Sequence, residues 1–70
     1  MTFEKGGLYR HDSTLDMDLA VMSVILRSDC RTVMEVKYLN RHYGFYQPDM
    51  ISTEIVRVKK EDEKHWRQIK

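Results

Sequence analysis

The residue types that could do chemistry in this chain are one cysteine and a small number of histidines and acids. Cys30 is the single cysteine, and it lies in a polar turn with no histidine at a recognisable spacing. A thiol acts as a nucleophile when a neighbouring base or cation favours its thiolate. The candidate metal ligands are His11, Asp12, Asp16, Asp18, His42 and His65. They match neither zinc-binding nor calcium-loop spacings, so we expect no enzyme, no metal site and no cofactor.

A segment that combines aromatic and basic side chains is the main candidate binding site. It contains Arg41, His42, Tyr43, Phe45 and Tyr46. Aromatic rings beside basic groups bind single-stranded nucleic acid by stacking and charge. Tyrosine and arginine also anchor protein interfaces. The same rings could instead pack on a hydrophobic core, and composition alone leaves core packing, a protein interface and a nucleic-acid interface open.

Two apolar segments, which we call arms, are joined by a polar turn and form the element around which the rest of the chain is organised. The arms, residues 19–26 and 32–39, are rich in apolar and β-branched residues and contain no glycine or proline, which favours strands. In the second arm Met34 and Val36 alternate with charged residues, the period of a strand with one apolar face. The sequence therefore predicts a β-hairpin whose turn lies near residues 28–30.

The length of the turn decides which residues of the two arms face each other. An even-numbered loop would place Val24 opposite Glu35 and split the apolar face, whereas an odd-numbered loop keeps it continuous. We therefore predict a three-residue loop after Arg27, or a five-residue loop that avoids setting two arginines opposite each other. The predicted opposite pairs are Leu26 with Thr32, Val24 with Met34, Met22 with Val36 and Ala20 with Tyr38.

A second apolar face is predicted on the other side of the hairpin. Its members are Leu19, Val21, Ile25, Val33 and Leu39. Contiguous apolar surface of this kind normally marks an interface. We expect a C-terminal helix to cover part of it through Trp66 and Ile69, and a partner, most simply a second copy of the chain, to cover the rest. Leu19 and Val21 are therefore predicted partner contacts.

The remaining segments complete a strand-rich domain. The sequence pattern predicts a short strand over residues 8–11 and a longer strand over residues 50–58. Acids at the start and bases toward the end predict a helix over about residues 60–69. We predict a mostly β fold, a small antiparallel barrel or bent sheet with a short C-terminal helix. It forms one domain over residues 1–70, with strands within 7–58.

Composition fits a folded globule. Hydrophobic residues make up 41% of the chain and the net charge is +1, which allows a core and gives no strong field to attract nucleic acid. No apolar run approaches the roughly 18 residues that span a bilayer. A single cysteine cannot form an internal disulfide, which fits a reducing compartment. We expect a soluble, cytoplasmic protein that does not enter a membrane.

Three strings in the chain carry a resemblance. Residues 8–11 (LYRH), 36–42 (VKYLNRH) and 58–66 (VKKEDEKHW) resemble segments of small accessory proteins encoded by tailed bacteriophages, and the predicted arrangement resembles SH3-like barrels. The resemblance implies a non-enzymatic binding module that engages a host or virion protein, in the host cytoplasm or in the virion. It implies no site residues. The alternative is a small barrel that binds nucleic acid through loop 41–46.

Overall fold

Five antiparallel strands form one open sheet in the computed structural model, which describes residues 2–14, 16–40 and 52–70. The strands are β1 (Leu8–His11), β2 (Met17–Arg27), β3 (Arg31–Asn40), β4 (Glu54–Lys59) and β5 (Trp66–Gln68), with a 3₁₀-helix at Lys60–His65 between the last two. Their order across the sheet is β4-β3-β2-β1-β5. The mostly β fold predicted from the sequence is confirmed.

The C-terminal helix is shorter than predicted. It is a 3₁₀-helix of six residues, with acids in its first turn and bases in its last, and the chain then enters β5 instead of continuing as a helix. Short isolated helices are marginal unless an apolar stripe packs, and this segment offers only Trp66 and Ile69 for one. Pairing along β1 gives the backbone its hydrogen bonds instead, with Trp66 opposite His11 and Gln68 opposite Tyr9.

The connection from β4 to β5 requires the sheet to bend. These strands lie at opposite ends of the sheet order, and four strand spacings would separate them by about 19 Å in a flat sheet. A 3₁₀-helix of six residues advances only about 12 Å. The sheet therefore curls, and Tyr9 of β1 and Val58 of β4 pack into the same core.

The turn of the β2–β3 hairpin is even-numbered, and the prediction of an odd loop is wrong. Arg27 lies opposite Thr32 and Leu26 opposite Val33. The Ser28 N–H donates to the Arg31 carbonyl oxygen at 2.9 Å. The Ser28 hydroxyl also accepts the N–H of Arg31 at 3.2 Å. A serine that binds the turn backbone in this way stabilises the tight even turn.

Two irregularities in β2 change the register that an even turn would otherwise impose. The pairing shifts between Val24 and Leu26 and again between Val21 and Ser23. Each shift inserts one extra residue into β2, as a β-bulge does. The predicted pair Val24–Met34 is present, but Val36 lies opposite Val21 and not Met22, and the pairs Leu26–Thr32 and Ala20–Tyr38 are absent from the described ladder.

The core lies on one side of the sheet. It consists of Phe3, Tyr9, Leu19, Val21, Met34, Val36 and Val58. Leu19 and Val21 are 0% and 2% exposed, so their assignment to an outer apolar face is wrong. Leu39 is buried as well, whereas Ile25 is 57% exposed. The prediction that a second copy of the chain covers an apolar patch containing Leu19 and Val21 therefore loses its basis.

The segment before β1 contributes to the core, although Phe3 is its only aromatic residue. Phe3 is fully buried, with its ring edge-on to Tyr9 at a centroid distance of 4.8 Å and to Trp66 at 5.7 Å. The backbone is tied to β2, because the Gly6 N–H donates to the Val21 carbonyl oxygen and the Val21 N–H donates to that of Gly7. Edge-to-face aromatic pairs add to the stability that burial provides.

Candidate binding surface

The residues predicted to bind a partner do not lie together on the described surface. Leu19 and Val21 are in the core. The aromatic and basic residues of the predicted loop lie outside the described residues: Arg41, His42, Tyr43, Phe45 and Tyr46. The surface that remains as a candidate is the side of the sheet that faces away from the core.

That side is defined by strand alternation. In β3, Thr32, Met34 and Val36 are buried, and in β4 Val58 is buried. Because neighbouring side chains of a strand point to opposite sides, the intervening residues of both strands face outward, together with the β2 residues paired to them. We name this set the outer face: Ser23, Leu26, Arg31, Val33, Glu35, Ile55, Arg57 and Lys59.

Apolar side chains cross the outer face diagonally. Leu26 lies directly opposite Val33, and Ile55 lies opposite Glu35, the next outward residue of β3. Leu26 is 51% and Ile55 50% exposed. Direct cross-strand neighbours have Cβ atoms about 5 Å apart and diagonal neighbours about 7–8 Å apart. Leu26, Val33 and Ile55 therefore form a continuous group, which we name the apolar row.

The bulge at Ile25 places Leu26 on this face. In a regular strand Val24 and Leu26 would point to the same side, and Val24 packs against the core. The register shift between them sets Leu26 opposite Val33, an outward residue. Bulges commonly re-aim a side chain in this way. Sequence reasoning missed the apolar row because alternation alone assigns Leu26 to the core.

One end of the outer face is basic. Arg31 lies directly opposite Lys59, and Arg57, the next outward residue of β4, lies opposite Val33. All three side chains are exposed. Within the described ranges, the ion pairs join other residues and none includes Arg31, Arg57 or Lys59. We name these three residues the basic end.

The 3₁₀-helix fixes the backbone behind the basic end. Thr32 is buried beside Arg31, and its hydroxyl donates to Oε1 of Glu63 at 3.0 Å. The other carboxylate oxygen, Oε2, lies 3.5 Å from the Lys60 ammonium. The Lys60 N–H donates to the Cys30 carbonyl oxygen at 2.9 Å. These contacts hold the start of β3 against the end of β4, so they fix the backbone from which Arg31 and Lys59 extend.

The other cluster of titratable residues lies where β1 meets β5. The His11 ring is 5.7 Å from that of His65 and 4.9 Å from that of Trp66. The Ser13 hydroxyl is 2.7 Å from Nδ1 of His11, a distance at which a histidine could take a proton from serine. The N–H of Ser13 donates to the same nitrogen at 3.1 Å. The Ser13 hydroxyl and the Ser13 N–H therefore both contact Nδ1 of His11, as expected for a local turn that follows β1.

The other residues that could act as a nucleophile or bind a metal do not form a site within the described ranges. Cys30 is exposed at the tip of the β2–β3 hairpin. Asp18 is buried and forms an ion pair with Arg10, with the guanidinium Nε 2.9 Å from Oδ1. Among residues 2–14, 16–40 and 52–70, no group of three histidine, cysteine, aspartate or glutamate side chains could hold a metal ion. A long apolar helix able to cross a membrane is absent from the same residues.

Comparison with known proteins identifies no relative of this chain. No protein-family model, no curated protein and no solved structure matches it.

Proposed function

We propose that this chain is a small, non-enzymatic binding module whose outer face docks a protein partner. The observation that carries the proposal is the apolar row, in which Leu26 and Ile55 are half exposed on a sheet whose core lies on the other side. Grouped large apolar side chains on a surface mark interaction sites more often than single ones do. The resemblance to phage accessory proteins extends the proposal to a host or virion protein as the partner, met in the cytoplasm or in the virion.

A nucleic-acid partner is the second candidate, and the basic end is the observation that favours it. Single-stranded nucleic acid is bound by cations that track phosphates and by aromatic rings on which bases stack. The outer face supplies the cations, but its apolar members, Leu26, Val33 and Ile55, have no ring for stacking. The protein partner is therefore the better fit to this face.

A pull-down with matched variants tests the proposal. The tagged parent chain, the double variant Leu26→Thr/Ile55→Thr and the control Arg67→Thr would be incubated with lysate of the cells that produce the protein. Threonine suits an exposed strand position, so all three chains should fold. Arg67 lies in β5, at the other end of the sheet order.

We expect proteins that the parent and the Arg67→Thr control retain and the double variant loses, quantified by mass spectrometry. Equal retention by all three chains would reject the apolar row as a binding surface. Retention of nucleic acid that is lost after nuclease treatment, with no protein dependent on the apolar row, would favour the second candidate.

A further inference from the structure

We propose that the partner of the outer face is a protein segment that carries acidic and large apolar side chains together. This inference rests on the proposed function and specifies the chemistry of the partner. The segment would place its apolar side chains on Leu26, Val33 and Ile55 and its carboxylates on Arg31, Arg57 and Lys59.

The unfavourable charge arrangement at the basic end points to an anionic partner. Arg31 and Lys59 are direct cross-strand neighbours, and like charges at such positions destabilise a sheet. No carboxylate of the described residues forms an ion pair with either of them. A partner that supplies carboxylates between these two cations and Arg57 would convert a repulsive cluster into an attractive one, and charge complementarity of this kind sets specificity and association rate.

The apolar row and the basic end share a boundary, so a single segment can reach both. Val33 has Leu26 opposite it on one side and Arg57 on the other. Strands of a sheet are about 4.8 Å apart, so a short peptide that crosses from β2 to β4 passes from an apolar to a basic contact at Val33. The partner must therefore carry both residue types within a few positions of each other.

Glu35 gives the bound segment a direction. Its carboxylate lies on the outer face beside Ile55, two residues along β3 from Val33 and four from Arg31. An acidic side chain placed near Glu35 would meet a like charge, whereas one placed near Arg31 would meet two cations. Repulsion of the wrong arrangement contributes to specificity alongside attraction of the right one. The carboxylates of the segment should therefore lie toward Arg31 and Lys59.

Selection from a random library of displayed 12-residue peptides tests the inference without knowledge of the natural partner. The immobilised full chain would serve as bait, and selected peptides would be synthesised and titrated by fluorescence anisotropy. We expect the selected sequences to be enriched in Asp and Glu together with large apolar residues. Binding should weaken about tenfold or more in Lys59→Glu and in Leu26→Thr/Ile55→Thr, and should stay unchanged in the control Lys64→Glu.

The variant Lys59→Glu also separates lost binding from lost folding. The new carboxylate would face Arg31, so the variant should unfold at a higher denaturant concentration than the parent while it binds the peptides more weakly. A variant that binds more weakly only because it is less stable would contradict the inference.

The other outcomes distinguish this inference from the proposed function on which it rests. Selected peptides that need Leu26 and Ile55 but show no acidic enrichment would overturn the inference and leave a protein-binding face. Failure to select any peptide dependent on the outer face would overturn both. Binding of a labelled 20-nucleotide single strand that weakens in Lys59→Glu and with added salt, without peptide binding, would assign the basic end to nucleic acid and also overturn both.

Discussion

Arg31 and Lys59 place two positive charges at directly opposite positions of neighbouring strands, an arrangement that opposes stability. Their positions directly opposite each other on β3 and β4 predict that a charge reversal at either one stabilises the fold. We expect Arg31→Glu and Lys59→Glu each to raise the free energy of unfolding by about 0.2–1 kcal/mol, the range for cross-strand charge pairs.

Urea unfolding of the parent, the two single variants and the double variant measures this effect as a double-mutant cycle. In the double variant two carboxylates face each other, so the gain should disappear. Single variants that are less stable than the parent, or gains that add in the double variant, would contradict a direct repulsion between Arg31 and Lys59.

Gly7 is the residue at which the smallest substitution should have a large effect. A Cβ atom at this position would lie 2.6 Å from the ring of Tyr9, and that ring is fully buried. Overpacking of this kind typically costs about 1–3 kcal/mol. We expect Gly7→Ala to lower the free energy of unfolding by this amount, measured by chemical denaturation. A Gly7→Ala variant as stable as the exposed control variant Lys5→Ala would show that Tyr9 can move aside.

Tyr38 should make the free energy of unfolding depend on pH in the alkaline range. Burial of the phenol raises its pKa above the usual value of about 10, and the neighbouring negative charge of Glu54 raises the pKa further. A raised pKa means that the folded state favours the protonated phenol. The stabilisation is therefore complete below about pH 10 and is lost as the pH rises through the pKa of the folded state.

Nuclear magnetic resonance of ¹³C-labelled tyrosine rings, with Tyr38→Phe to assign the signal, measures this pKa. We expect a value above that of free tyrosine in the parent. In Glu54→Gln the pKa should fall but stay raised, because burial is the larger cause. Titration of Tyr38 at or below the free value would contradict the partial burial of its ring.

At the scale of elements, a buried side-chain hydrogen bond links the 3₁₀-helix to β3. The Thr32 hydroxyl donates to Glu63, and both residues are buried. Removal of one partner leaves the other without its hydrogen bond, which costs about 1–3 kcal/mol, whereas replacement of both partners by apolar groups can be nearly neutral. Thr32→Val should therefore be less stable than the double variant Thr32→Val/Glu63→Met.

Thermal unfolding followed by circular dichroism compares the two variants, with Thr53→Val as a control for the same substitution at an exposed position. Equal stability of Thr32→Val and the parent would show that Glu63 finds another donor. A double variant much less stable than Thr32→Val would show that Glu63 acts through contacts other than this bond.

The strands could be predicted from the sequence, but their register could not. β-branched and apolar residues mark both arms of the hairpin, and the observed strands β2 and β3 contain them. The pattern Val24-Ile25-Leu26 is apolar throughout, so it gives no indication that Ile25 is an extra residue. A shift by one residue reverses the direction of every following side chain. The bulge at Ile25 therefore turns Leu26 outward, against the prediction, and the second shift, at Met22, turns Val21 and Leu19 inward.

At the scale of the whole molecule, the one-sided core of this small domain determines where the candidate surface lies. A chain of 70 residues buries a modest fraction of its surface. Its core takes side chains from the N-terminal segment, β1, β2, β3 and β4 on one side of the curled sheet. The opposite side of β2, β3 and β4 keeps Leu26 and Ile55 half exposed. The candidate surface follows from sheet curvature and bulges together, and neither could be deduced from residue periodicity.

A chemical-shift titration tests the central claim, that the outer face docks an acidic and apolar protein segment, most directly. The ¹⁵N-labelled chain would be titrated with the tightest peptide from the displayed library. The largest shift changes should fall on Leu26, Arg31, Val33, Ile55, Arg57 and Lys59, and should vanish when the acidic residues of the peptide are replaced by lysine. Changes centred on the His11–His65 end of the sheet, or changes unaffected by that replacement, would contradict the claim.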